Sequence, residues 1–161
     1  MTLTPTRRLA LVAIVTLVLD QLTKFAVLRF LGYAQERVVI EGFFKFVHWG
    51  NTGAAFSMFA NAGGWQRYFF IGIAIMASAW VVWLLRRYPQ QKWFCLALGM
   101  ILGGAIGNLI DRLRFDAVID FLDFHVSGQH FPAFNVADSA ISIGVFLMLI
   151  AEFRRGKAVS K

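Results

Sequence analysis

Charge is scarce in this chain. Asp, Glu, Lys and Arg make up 16% of its 161 residues, where a soluble domain carries about 25%. Too few polar side chains remain to clothe a water-soluble globule. A disordered chain is excluded as well, because disorder needs low hydrophobicity and high charge. Cysteine is nearly absent. Cys95 stands alone, so no intrachain disulfide and no multi-thiolate zinc site can form, and the redox compartment is not encoded. Histidine is sparse: His48, His125 and His130 lack HExxH spacing, and no metal-ligand cluster is visible. No metal and no other cofactor is expected. There is no internal repeat and no low-complexity tract.

What fills the chain is apolar. Hydrophobic residues reach 58%, mean hydropathy is +0.63, and there are 17 Phe and 5 Trp. A bilayer core is crossed by about 20 mostly apolar helical residues. Residues 9–31, 68–85, 93–110 and 138–153 meet or approach that length. The implied fold is an all-α membrane protein with four transmembrane helices, one domain over residues 1–161. Arg7 and Arg8 followed by an apolar run have the shape of a signal peptide. No A-x-A site follows, and Asp20, Gln21 and Lys24 come next, so the segment reads as a retained span.

Charge orients the spans. Nine Lys and Arg lie in the N-terminus, the 86–92 loop and the C-terminus, against five in the two other loops. The positive-inside rule then puts both termini in the cytoplasm and loops 32–67 and 111–137 outside. The net charge of +7 reports those cytoplasmic loops, and no nucleic-acid partner is expected. In the first outer loop, Arg37–Ile40, the turn candidate Glu41-Gly42 and the partly alternating run to Trp49 predict a small hairpin. On span 3, Gly99, Gly103 and Gly107 recur every four residues and line one face for close helix packing.

Ionisable groups at membrane depth cost about 2.5–3.5 kcal/mol or more each and mark function by default. Asp20 and Lys24 share a helix face in the favoured ion-pair order. Either they snorkel as a neutralised pair or they brace a site. Asn51-Thr52-Gly53-Ala54-Ala55-Phe56 reads as an ordinary turn or as a polar clamp for an extended peptide. Asn108, Asp111 and Arg112 close span 3 on one face, as a cap with a local ion pair or as support for a catalytic segment. Asp120 is framed by apolar neighbours, which raises a carboxyl pKa. Asp138 opens span 4, where Asp is a common N-cap, and Asn135 competes for that cap. Taken singly, each Asp is more often structural. Together they are two acids at adjacent span ends, eighteen residues apart, enough chain to fold back and meet. Two carboxylates sharing one proton can activate water and polarise a carbonyl, with no metal and no covalent intermediate. Asp123, three residues from Asp120, is not separable from it on pattern alone.

Five blocks carry a family resemblance: Asp20-Gln21-Leu22-Thr23-Lys24, Asn51 to Phe56, Gly103 to Arg112, Val118-Ile119-Asp120-Phe121, and Phe134-Asn135-Val136-Ala137-Asp138-Ser139. In this order on a four-span chain, they resemble the lipoprotein signal peptidase (signal peptidase II) family. The resemblance implies a multi-pass aspartic endopeptidase of the bacterial inner membrane, with its site near the outer face. It implies four transmembrane helices with a small extracytoplasmic β-sheet cradle. Its substrate would be a prolipoprotein, cut just before a lipid-modified cysteine, with membrane lipids as further partners and the enzyme monomeric. By block position, Asp120, rather than Asp123, and Asp138 match the catalytic dyad. Asp20, Lys24, Asn51, Gly53, Asn108, Asp111, Arg112 and Asn135 match surrounding binding or supporting positions. The rivals are a small transporter or proton relay using the intramembrane Asp and Lys, a non-catalytic scaffold, and a Ser–Lys peptidase using Lys24 with Ser139.

Overall fold

The structure, a computed structural model, describes residues 5–53 and 63–159. Among these, four helices are long and apolar enough to cross a membrane. In chain order they are α1 (Pro5–Phe30), α2 (Trp65–Arg87), α3 (Lys92–Phe115) and α4 (Val136–Val159). Long proline-free apolar runs must close their backbone hydrogen bonds internally, and helix does so. The helices overrun the apolar stretches named above, because charged ends such as Arg86-Arg87 and Asp111–Arg114 continue the helix. α2 stops at Arg87, just before Tyr88-Pro89.

Four strands form one antiparallel sheet in the order β1 (Glu36–Ile40), β2 (Phe44–Asn51), β3 (Val118–Val126) and β4 (Gln129–His130). The expected first-loop hairpin is present. Its turn closes through Phe43 N–H to Ile40 C=O at 3.1 Å, with Gly42 at φ 71°. The second outer loop, for which the sequence predicted no strand, contributes β3 and β4. β2 carries a bulge: Val47 and His48 together oppose Phe121 between the pairs Phe46–Leu122 and Trp49–Asp120. α1 leads into β1, β2 leads toward α2, α3 into β3 and β4 into α4. The sheet therefore caps one end of the bundle, and the acids gather there.

α3 is the central helix, packed against α1, α2 and α4. The four-residue glycine stripe explains its closeness to α1. A Cβ on Gly103 would meet Ala13 C=O at 2.6 Å, and one on Gly107 would collide with the Asp20 carboxylate. The apolar core of the bundle joins Leu9, Val81, Leu84, Leu85, Phe94 and Leu98. Leu11, Ile14, Val18, Leu22, Met76, Trp80, Phe146 and Leu149 face outward, as side chains in hydrocarbon do.

Candidate active site

Two polar clusters sit under the sheet. The deeper one is an ion triad. Lys24 Nζ lies 2.9 Å from Asp20 Oδ2 and 2.7 Å from Asp111 Oδ2, and all three side chains are at most 2% exposed. Asp20 and Lys24 therefore do not snorkel. Their second acid comes from α3, and Gln21 Nε2 donates to both Asp20 and Asp111 at 3.2 Å. Both acids also hold backbone. Asp20 Oδ1 accepts Ala137 N–H at 2.9 Å, and Asp111 Oδ2 accepts Ile119 N–H at 3.1 Å. Ala137 precedes Asp138 and Ile119 precedes Asp120, so the triad pins the backbone beside each of the two acids.

The shallower cluster contains those two acids. Asp138 sits in the first turn of α4. Asn135 Oδ1 accepts Asp138 N–H at 2.9 Å and Asp138 Oδ2 accepts Asn135 N–H at 3.3 Å, a reciprocal N-terminal cap. Asn135 is thus the N-cap and Asp138 its partner one turn in. Asn135 Nδ2 also reaches across to Asp120 Oδ1 at 2.8 Å, so one buried amide ties Asp120 to the segment that holds Asp138. Asn51 Nδ2 donates to Asp120 Oδ2 at 3.0 Å, while its Oδ1 accepts Gly53 N–H at 3.0 Å. Asn108 links the clusters: its Oδ1 accepts Lys24 Nζ at 2.9 Å and its Nδ2 donates to Asp138 Oδ1 at 2.8 Å. Arg112 packs its guanidinium 5.0 Å above the Phe70 ring and donates to Gly53 C=O at 3.2 Å. Ala54, Ala55 and Phe56 of the same block lie outside the described residues.

Asp120, Asp138, Asn51, Gly53, Asn108 and Arg112 line one cavity of ≈ 830 Å³, with Trp49, Phe70, Phe131, Phe134 and Ile141 as apolar wall. Burial and the neighbouring Asp138 charge push the Asp120 carboxyl up from its ordinary 3.8 to about 7, against the amide bonds from Asn51 and Asn135. Two acids that face a cavity with amide partners, one of them titrating near neutrality, can divide the work of acid and base.

Asp123 is set apart by the strand itself. Side chains alternate along β3, so a residue three from Asp120 points to the other face, where Asp123 is fully buried beside His130 and Lys45. Ser139 lines the cavity, but its Oγ donates to Asn135 C=O at 2.9 Å. Gln21 and the aromatic wall were not among the residues singled out above. Gln21, a polar side chain one place from Asp20 within an apolar span, was the available signal. No local signal marks Trp49 or Phe70, since only tertiary structure brings them to the cavity. The sequence also showed no metal-ligand spacing, yet cross-strand pairing gathers Asp123, His125 and His130.

Residues 12–154 match the model of a family described as Signal peptidase (SPase) II. The lipoprotein signal peptidase of Ralstonia nicotianae is 55% identical, over 88% of this chain and 82% of its own length. That of Cupriavidus necator is 51% identical, over 89% of this chain and 81% of its own. Two solved structures, described as bacterial membrane enzymes obtained by the in meso method at 2.3 and 1.9 Å resolution, match at 30% identity. Their TM-scores are 0.81 and 0.77, with 91% and 89% of this chain and 88% and 91% of theirs covered. With most of its length matched in sequence and in fold, this chain belongs to the signal peptidase II family.

Proposed function

We propose that the chain removes the signal peptide from diacylglyceryl-modified prolipoproteins as an aspartic endopeptidase, cleaving before the lipidated cysteine. Family membership makes it a bacterial membrane peptidase of lipoprotein processing. The observation that carries the finer reading is the pair Asp120 and Asp138, which face one cavity and are partnered by amides. In the reacting state the pair holds one proton. The ionised carboxylate takes a proton from water as that water attacks the scissile carbonyl. The protonated partner donates to the carbonyl oxygen, and the resulting gem-diol collapses as the amine leaves with a proton. Asp120, drawn up to about 7, can carry a proton near neutral pH where an ordinary carboxylate has lost it.

The remaining residues position the reactants. Asn51, Asn108 and Asn135 fix the carboxylates, the Lys24 triad fixes the backbone behind them, and Arg112 holds the Gly53 carbonyl beside the cavity. The substrate helix lies in the bilayer along α2 to α4 with its acyl chains in lipid, so the lipid anchor helps set the depth of the scissile bond. The excess of Lys and Arg at the termini and the 86–92 loop supports cytoplasmic termini and a site at the outer face, and one chain carries the complete set of residues. The test is processing by purified enzyme of a diacylated precursor against its unlipidated twin. The diacylated form is expected to be cut and the twin spared; equal cleavage of both ends the lipid-positioning part of the reading.

A further inference from the structure

On the opposite face of β3 from the Asp120–Asp138 cavity, a second constellation stands outside the peptidase machinery. β3 and β4 meet in a two-residue turn, Ser127-Gly128, with φ of 51° and 78°. Positive φ at both positions is the tight hairpin turn that fixes register. That register sets His125 directly opposite His130. Alternation sets Asp123 on the same face as His125. One donor atom from each of the three lies within 4.8 Å of the others. Asp123 is fully buried and His130 Nδ1 sits 2.9 and 3.0 Å from its two oxygens. The imidazoles stack with centroids 4.9 Å apart. His125 Nδ1 is buried and, among the described residues, has no hydrogen-bond partner. A buried polar atom normally finds one, and an imidazole nitrogen without a partner beside a carboxylate and a second imidazole is a vacant ligand.

We propose that Asp123, His125 and His130 form a binding site for a borderline divalent transition-metal ion such as Zn²⁺, separate from the catalytic cavity. Two imidazoles and one carboxylate with a side open to water is a Zn²⁺ donor set. Ca²⁺ and Mg²⁺ call for oxygen ligands throughout and do not suit it. An ion held by His130 Nδ1 would take the place of the hydrogen bond that nitrogen now makes with Asp123. The opposing group is Lys45, 3.7 Å from Asp123 Oδ2, but its ammonium is already held by Glu36 Oε2 at 2.5 Å, so it can stay on Glu36 as the ion enters. A bound ion would fasten the hairpin just before Phe131 and Phe134, which wall the cavity.

The test is titration of tag-free, chelator-washed full-length protein in detergent with ZnCl2 by calorimetry, and with Co²⁺ by visible absorption. Saturable uptake of one ion per chain is expected, with the intense Co²⁺ bands of a tetrahedral site. His125→Phe and His130→Phe should each weaken it at least roughly tenfold, the loss that even an outer partner of a metal ligand causes. Lys45→Gln should tighten it by removing the competing charge. No saturable uptake by the unaltered protein overturns the site, as does uptake that survives both histidine changes.

Discussion

The two carboxylate pairs under the sheet differ in what they touch. Asp20 and Asp111 close on a cation, Lys24, and are sealed from solvent. Asp120 and Asp138 face a cavity and are held by the amides of Asn51, Asn108 and Asn135. A buried cation holds its acids in place. An amide orients a carboxylate and leaves it free to exchange a proton. The same residue type is thus sealed around a cation in one place and open to a cavity in the other, as the proposed reaction requires, and the clusters depend on each other through Asn108, Ile119 and Ala137.

The largest effect that tests this contrast is on rate. Asp120→Asn or Asp138→Asn should slow cleavage of a diacylated precursor by about 10³-fold or more while leaving the thermal midpoint intact. For Asp120 the sign goes further. A folded-state value raised from 3.8 to about 7 means that its contribution to stability is complete below about 4 and is lost as pH rises through about 7. Asp120→Asn removes that loss, so at pH 8 its melting point should equal or exceed that of the unaltered protein. Near-normal cleavage by either variant would break the division between the pairs.

The opposite signature belongs to the sealed pair. Lys24→Met strands two buried carboxylates and should cost about 3–5 kcal/mol, read as a lower melting point in detergent. Activity should fall as the backbone at Ile119 and Ala137 loosens. Unchanged stability would show that the triad is dispensable and that the amides alone hold the site.

How much of this was legible beforehand follows from range. The four spans and the Glu41-Gly42 hairpin are local patterns and could be read from hydropathy and turn chemistry. So could the glycine face of α3, although the sequence did not say that α1 would fill it. The Asp20–Lys24 pairing is local too, but its third member, Asp111, arrives from α3 and is set only by packing. β3 was missed because its acids disguised a strand that is buried on both faces. Without the strand, the alternation that separates Asp120 from Asp123 could not be used, nor could His125 and His130 be seen as cross-strand neighbours. The family blocks chose Asp120 over Asp123 where local pattern alone could not, and the structure sets those two acids on opposite faces of β3, with Asp120 at the cavity.

A smaller effect sharpens the role of the amides. Activity that needs one shared proton should fall on the alkaline side as Asp120 ionises near 7. The Asn51 amide favours the ionised form, so Asn51→Ala should move that alkaline limb to higher pH as well as lower the rate. A lower plateau with an unmoved limb would reduce Asn51 to a purely structural turn residue.

The smallest expected effect concerns Ser139, which a Ser–Lys mechanism would make indispensable. An ammonium has three N–H donors, and those of Lys24 are matched by Asp20, Asp111 and Asn108 at 2.9, 2.7 and 2.9 Å. Ser139 is not among these partners, so no serine hydroxyl sits where Nζ could take its proton. The Ser139 hydroxyl is itself turned back onto Asn135 C=O, where it adds one neutral hydrogen bond to the α4 start. Ser139→Ala should therefore cost about 1 kcal/mol of stability and change the cleavage rate by no more than roughly fivefold, measured on the same diacylated precursor. A loss as deep as that of the Asp120 and Asp138 variants would transfer the chemistry to the hydroxyl and make the amide-held acids its support.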